Sequence, residues 1–201
     1  MYTERFDFDG DSVALDANGL ADDIAYVDGG YVLTANDAGD DLAHLITILG
    51  NAATDHSGKT FTITGTGPDG KTLTEGIAGP NGVATVTSTK HFLTVTSVTV
   101  SATTGGDTFD IGWNAVAVSA WHYLTNNKYE KVLIGFGCEV VSGSPTYTVQ
   151  HAYGDANMTA FNHNSVAAET TSQNDGYTTP IMAVRLYWSA AGRVRMTGLV
   201  M

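Results

Sequence analysis

Basic residues are scarce in this 201-residue chain: nine Lys and Arg stand against 21 Asp and Glu, giving a formal net charge of -12. A polyanion is repelled by nucleic acid, whose affinity for protein comes mainly from Lys and Arg on phosphate, so direct DNA or RNA binding is not expected. Cysteine is scarcer still. Cys138 stands alone, which excludes an intrachain disulfide and a thiolate metal cluster within one chain. It lies in the apolar stretch Lys131 to Val141 and reads as a buried, inert thiol. No apolar run approaches the roughly 20 residues that span a bilayer, so no membrane partner is expected. The opening Met1 to Ser12 lacks a basic start followed by an apolar run, so no secretory leader is expected and the chain reads as made in the cytosol.

Helix-forming text rich in Ala, Leu, Glu and Lys is nearly absent. Glycine (23 residues), Thr and Val take its place, with only four prolines. Such text describes many short strands joined by tight turns. Hydrophobic residues make up 43% and charged residues 15%, so a core can form and a disordered chain is excluded. The length suits one large or two small domains.

Acid is concentrated early: eleven of the 21 acidic residues fall between Glu4 and Asp41, against one base, Arg5. Leu42, Leu45, Ile46 and Leu49 share a helical face, but Leu45 to Leu49 also reads as a buried strand. The middle is plainer. Thr60-Phe61-Thr62-Ile63-Thr64 alternates, as a strand with one wet and one buried face should. Gly67-Pro68-Asp69-Gly70 and Gly79-Pro80-Asn81-Gly82 supply turns between successive strands, Lys71 to Ile77 and Val83 to Thr87. Phe92 to Ser101 is the strongest strand, and Thr108 to Trp113 follows a Gly105-Gly106-Asp107 turn. Short connections favour an antiparallel meander or sandwich. Trp113 to Asn127 interrupts the pattern. Beyond it, Lys131 to Val141, Thr146 to Tyr153, Ile181 to Ser189 and Val194 to Val200 read as strands. The polar stretch Gly154 to Tyr177 reads as a long loop.

The block Phe61 to Ser101 resembles a segment of structural proteins of tailed bacteriophages. Those proteins carry a TGTDxxGxxxTExxxGPN pattern followed by a TxKxFxxVTSV strand. The matching residues here are Thr64-Gly65-Thr66, Asp69-Gly70, Thr74-Glu75, Gly79-Pro80-Asn81, Lys90, Phe92 and Val95-Thr96-Ser97-Val98. The closing part is similar too, in Tyr147 to His151, Pro180 to Leu186 and Gly192 to Leu199. The resemblance covers well over half the chain. It implies a virion protein: a capsid decoration (cement) protein, or a component of the head–tail joint or fibres. It brings no catalytic residues with it.

The residues themselves offer little chemistry. Asp7, Asp9 and Asp11 alternate as calcium ligands do, but an EF-hand loop starting at Asp7 would need Gly at Ser12 and Glu at Asn18. Asp22-Asp23 and Asp40-Asp41 are adjacent carboxylates, which in strands or turns do not converge on one cleft. The six histidines form no HxxxH or HExxH pair, and phosphate-cradling glycine motifs are missing. No metal, cofactor or catalytic residue is therefore expected. Trp113, Trp121, Tyr123 and Tyr129 form an aromatic group read as an inter-subunit contact, with core packing as the competing reading and sugar stacking as a third.

The expectation is an all-β, antiparallel sandwich or jelly-roll-like protein of one or two β domains. Residues 1–115 would hold the acidic segment and central meander, and 116–201 the C-terminal sheet. It would be a non-enzymatic virion component, most simply a homotrimeric decoration protein on the major capsid protein. The alternatives are a head–tail or fibre component, or a carbohydrate-binding module.

Overall fold

The computed structural model describes residues 4–27, 29–124, 133–154 and 159–200. Strands take 64% of the described residues, far above the 20–25% usual in globular domains, and no helix occurs among them. Every strand pairing described below is antiparallel. The chain divides into two compact units: Ala14–Ala117, and Met1–Val13 together with Val118–Met201.

The unit Ala14–Ala117 is a sandwich of two sheets. Its strands are β2 (Asp16–Ala25), β3 (Ala43–Gly50), β4 (Thr60–Thr66), β5 (Thr72–Ala78), β6 (Thr85–Phe92), β7 (Thr94–Val100) and β8 (Thr108–Val118). One sheet runs β2-β8-β3-β6 and the other β5-β4-β7. Phe61 and Ile63 of β4 are fully buried, as are Phe109 and Ile111 of β8. The Phe61 and Phe109 rings meet edge to face at 5.1 Å, which joins the two sheets through one apolar layer. The run Leu45 to Leu49, readable as helix or strand, lies within strand β3, with Ile46 and Ile48 in the core. The text expected to break at Trp113 instead continues in β8 to Val118.

The residues that carry the phage-protein resemblance build this sandwich. The Glu75 carboxylate accepts the backbone N–H of Thr89 (2.9 Å) and of Lys90 (2.9 Å), and Lys90 Nζ donates back to the Thr74 carbonyl at 2.8 Å. These bonds tie β5 to β6 across the two sheets. Between β4 and β5, the Gly67 and Gly70 amides close the turn, and Gly70 takes a φ of 73° that favours glycine. The Pro80 carbonyl accepts the His56 amide, and Phe92 is core.

The other unit is built on two long strands, β10 (Ile134–Ala152) and β13 (Ala183–Val200), paired along their whole length. Gly143 and Gly192, which fall in the gaps between stretches read as separate strands, instead face each other across this ribbon at φ of 76° and 144°. The register slips on either side of Gly143, so the two glycine signals mark opposed bulges that bend a continuous ribbon. A side chain at Gly192 would collide with Pro145. Strand β1 (Glu4–Ser12) pairs with Gly192–Val200, and β9 (His122–Tyr123) with Val184 and Ala183. On the far side of β10 lie β11 (Phe161–Asn162) and β12 (Gln173–Tyr177). The stretch read as one polar loop thus contains two short strands. Even-numbered residues of β13, from Val184 to Trp188 and again at Val194, Met196 and Val200, are buried.

The acidic N-terminus obeys the same period of two. Phe6, Gly10 and Ser12 are buried, while Arg5, Asp7, Asp9 and Asp11 face outward. Two of the outward carboxylates, Asp7 and Asp9, are engaged by neighbouring side chains. Asp9 accepts two bonds from Arg193 (2.9 and 2.8 Å) and two from Arg195 (3.3 and 3.2 Å), and Arg195 also reaches Glu139 at 3.3 Å. Asp7 accepts from Thr197 at 2.7 Å and pairs with Arg5 at 2.8 Å. The Arg193 guanidinium holds the Asp9 carboxyl below its ordinary range despite partial desolvation. The first part of the acidic segment, Glu4–Ser12, is therefore a paired strand against β13, 190 residues further along the chain, while the remainder from Asp16 onward lies with the central meander in the unit Ala14–Ala117.

Candidate functional site

An aromatic-lined cleft of about 380 Å³ lies in the unit containing β10 and β13. Its walls follow from strand register. His151 lies opposite Phe161 in the β10–β11 pair, and their rings stack at 5.9 Å. Tyr153, just past the end of β10, meets His151 edge-on at 5.2 Å and Phe161 at 5.6 Å. Tyr177 ends β12 opposite Ile134, and its ring touches His151 at 5.1 Å, His163 at 4.7 Å and Phe136 at 5.7 Å. Exposure rises from the back of the cleft to its mouth. Tyr177 is 7% exposed, whereas Phe161 is 46% and Tyr153 53% exposed. Two aromatic faces are thus left to solvent at the rim.

The polar groups of the cleft are fixed by a chain of hydrogen bonds. Arg185 can only donate, and its Nε gives a bond to Gln150 Oε1 at 2.8 Å. That turns Gln150 Nε2 toward Asn162 Oδ1, 3.0 Å away. With Oδ1 so used, Asn162 offers its Nδ2 hydrogens outward at the cleft edge. Asp175 supplies the opposite polarity. The Ser165 hydroxyl and the Gly176 amide hold its carboxyl below the ordinary value against the effect of burial, so it is an ionised, acceptor-only group at neutral pH.

His163 holds the wall in place. Its Nδ1 accepts the Ser165 and Val166 amides at 3.3 Å each, so the ring proton sits on Nε2, which donates to the Gly176 carbonyl at 3.4 Å. A nitrogen that accepts two N–H bonds is not the cationic end of an ion pair, so the 4.0 Å approach of Asp175 to the same Nδ1 is a proximity and no salt bridge. His151 receives only a long 3.3 Å contact from the Tyr177 hydroxyl. Burial, the largest cause, lowers its pKa.

The aromatic group singled out from the sequence is placed differently from residue to residue. Trp113, in the unit Ala14–Ala117, is 8% exposed; its ring covers Gly19 and its Nε1–H donates to the Ala14 carbonyl at 3.1 Å. Packing, not exposure, is what its indole provides. Trp121 is half-buried, with the Arg185 guanidinium 4.4 Å from its ring centroid, a cation–π contact. Burial lowers the Arg185 pKa to about 10, which leaves it charged at neutral pH. Tyr123 is 54% exposed on β9, and Tyr129 lies outside the described residues. Trp121 therefore connects to the cleft through Arg185, Gln150 and Asn162. The sequence signal for the cleft was present in the ring density of His151, Tyr153, Phe161, His163 and Tyr177, but it was spread over a stretch that read as loop.

The polar clusters of the sandwich unit are structural by their contacts. His44, 1% exposed, places Nδ1 3.0 Å from the Asn114 carbonyl and Nε2 2.8 Å from Asp40 Oδ2. His56 bonds Asp107 at 3.0 Å and Lys59 at 2.7 Å. Asp22 accepts from Asn18, and Asp23 from Thr108 and Asn51. No group of three or more His, Cys, Asp or Glu poised to hold a metal occurs among the described residues. Cys138 is buried, which pushes its thiol up to about 12.

No protein-family model matches this sequence, and neither a curated protein nor a solved structure shows a significant match to it.

Proposed function

We propose that this chain is a non-enzymatic structural component of a tailed-bacteriophage virion, of the capsid decoration (cement) type. The observation that carries the reading is the block Phe61 to Ser101, whose resemblance to phage structural proteins rests on residues with fold-building roles. Glu75, Lys90 and Phe92 stitch and fill the sandwich, and the Gly67–Gly70 turn closes its β4–β5 hairpin. A chain of stiff antiparallel strands suits a part that carries load. The polar clusters at Asp9, His44 and His56 are engaged in holding strands together.

The mechanism is mechanical. Copies of the chain, as a closed homotrimer, bridge neighbouring major capsid protein subunits, and binding to the assembled state alone raises the stability of that state. A net charge of -12 directs the protein to basic patches on the shell and makes its attachment rate fall with salt. The test is antibody labelling of purified virions of the phage that encodes the chain. Label over the whole head supports the decoration role, label confined to the neck or tail moves the protein to the joint or fibres, and unlabelled particles overturn the virion reading.

A further inference from the structure

We propose that the cleft framed by His151, Tyr153, Phe161 and Tyr177 binds a neutral saccharide. Three features select this ligand class. The first is the pair of half-exposed rings at the mouth, Tyr153 at 53% and Phe161 at 46% exposure. An aromatic face left to water beside a cavity is a platform for the C–H face of a sugar ring. The second is the polarity at the rim. Asn162 offers donors, because its carbonyl is committed to Gln150, and Asp175 offers an ionised acceptor. A sugar hydroxyl both donates and accepts, so neighbouring hydroxyls satisfy both groups. The third is size: about 380 Å³ sits near the lower end of the range of roughly 300–1,000 Å³ typical of small-ligand pockets, room for a short saccharide.

Other ligand classes fit less well. The lining contains no Lys or Arg, and Asp175 is negative, so a phosphate or carboxylate ligand would meet repulsion with no compensating cation. A quaternary ammonium ion needs rings spaced around a void. Here the rings touch one another, with His151 within 5.9 Å of Tyr153, Phe161 and Tyr177, and they form a wall instead of a cage. The inference does not rest on the virion reading, since a chain absent from particles could still bind sugar.

The experiment is saturation-transfer NMR on the full chain with the methyl glycosides of glucose, galactose, mannose and N-acetylglucosamine, with tetramethylammonium as a rival probe and inorganic phosphate as a competitor whose preference is read from displacement of the glycoside. The expected result is saturation of at least one glycoside with weak affinity, and about a tenfold loss of that affinity in Phe161→Ala or Tyr153→Ala. Both rings are half-exposed, so both variants should keep the wild-type circular dichroism and thermal midpoint. Absence of saturation on all four glycosides, binding unchanged in both variants, or a preference for tetramethylammonium or phosphate would overturn the proposal.

Discussion

Phe6 and Gly198 are direct partners in the β1–β13 register, and the Phe6 ring occupies the space a side chain on Gly198 would need. Phe6 is 3% exposed and stacks on His122 at 5.0 Å. Truncation by Phe6→Ala deletes a buried ring and should cost about 3–5 kcal/mol. Gly198→Ala pushes a methyl into that ring and should cost about 1–3 kcal/mol through overpacking. In the double variant the methyl enters space the ring has vacated, so the second change becomes nearly free. The cycle then shows a coupling of about 1–3 kcal/mol. Urea denaturation is the assay, followed by tryptophan fluorescence in a Trp113→Phe, Trp121→Phe background that leaves Trp188, which is fully buried in the same unit and lies 6.0 Å from Phe8 of β1. Against a typical stability of about 5–15 kcal/mol, the Phe6→Ala shift is large and easily measured. Costs that add within about 0.5 kcal/mol would show that Phe6 does not cover Gly198, and the pairing of the N-terminus with β13 would lose its main support.

In the sandwich unit, the buried His44–Asp40 contact should be costly to halve: His44→Ala leaves the Asp40 carboxylate, 3% exposed, without that partner, at about 3–5 kcal/mol in thermal or urea unfolding. A loss under about 1 kcal/mol would refute the burial of that pair. His151 predicts an acid sensitivity. Its folded pKa lies below the ordinary 6.5, so as pH falls through that value the unfolded chain takes up a proton that the folded chain refuses. Stability should therefore fall from about pH 6.5 down to the folded pKa, and His151→Gln should flatten the slope between about pH 7 and pH 5; an unchanged slope would contradict the assignment. Cys138 should resist thiol reagents in the folded protein at mildly alkaline pH, because burial holds its pKa at about 12, and should label only on unfolding. Prompt labelling of the native chain would place the thiol outside the core.

Local rules carried most of the strand assignments. Thr60 to Thr64 alternates in sequence and in burial alike, and the turn at Gly67–Gly70 lies where its glycines put it. Long-range pairing was not legible. Nothing in Arg5 to Asp11 names Arg193 and Arg195 as the neighbours that neutralise Asp9, because cross-strand partners are set by register and not by local propensity. The sequence around Gly143 and Gly192 reads as gaps between strands, whereas continuous strands run through both, because a bulge and a turn present the same glycine signal. Trp113 shows the limit for sites: hydropathy cannot tell an indole that fills a core over Gly19 from one that meets a partner. The cleft was hidden for the same reason as the β1 pairing, since its rings come from β10, β11 and β12 and converge only through the sheet.

The central claim, that the chain decorates a phage capsid, is tested most directly by its copy number in purified virions, measured by quantitative mass spectrometry against the major capsid protein and the portal. The account predicts a copy number close to that of the capsid protein. A copy number close to that of the portal would contradict the decoration role and place the chain at the joint or fibres, and its absence from particles would contradict the virion reading itself.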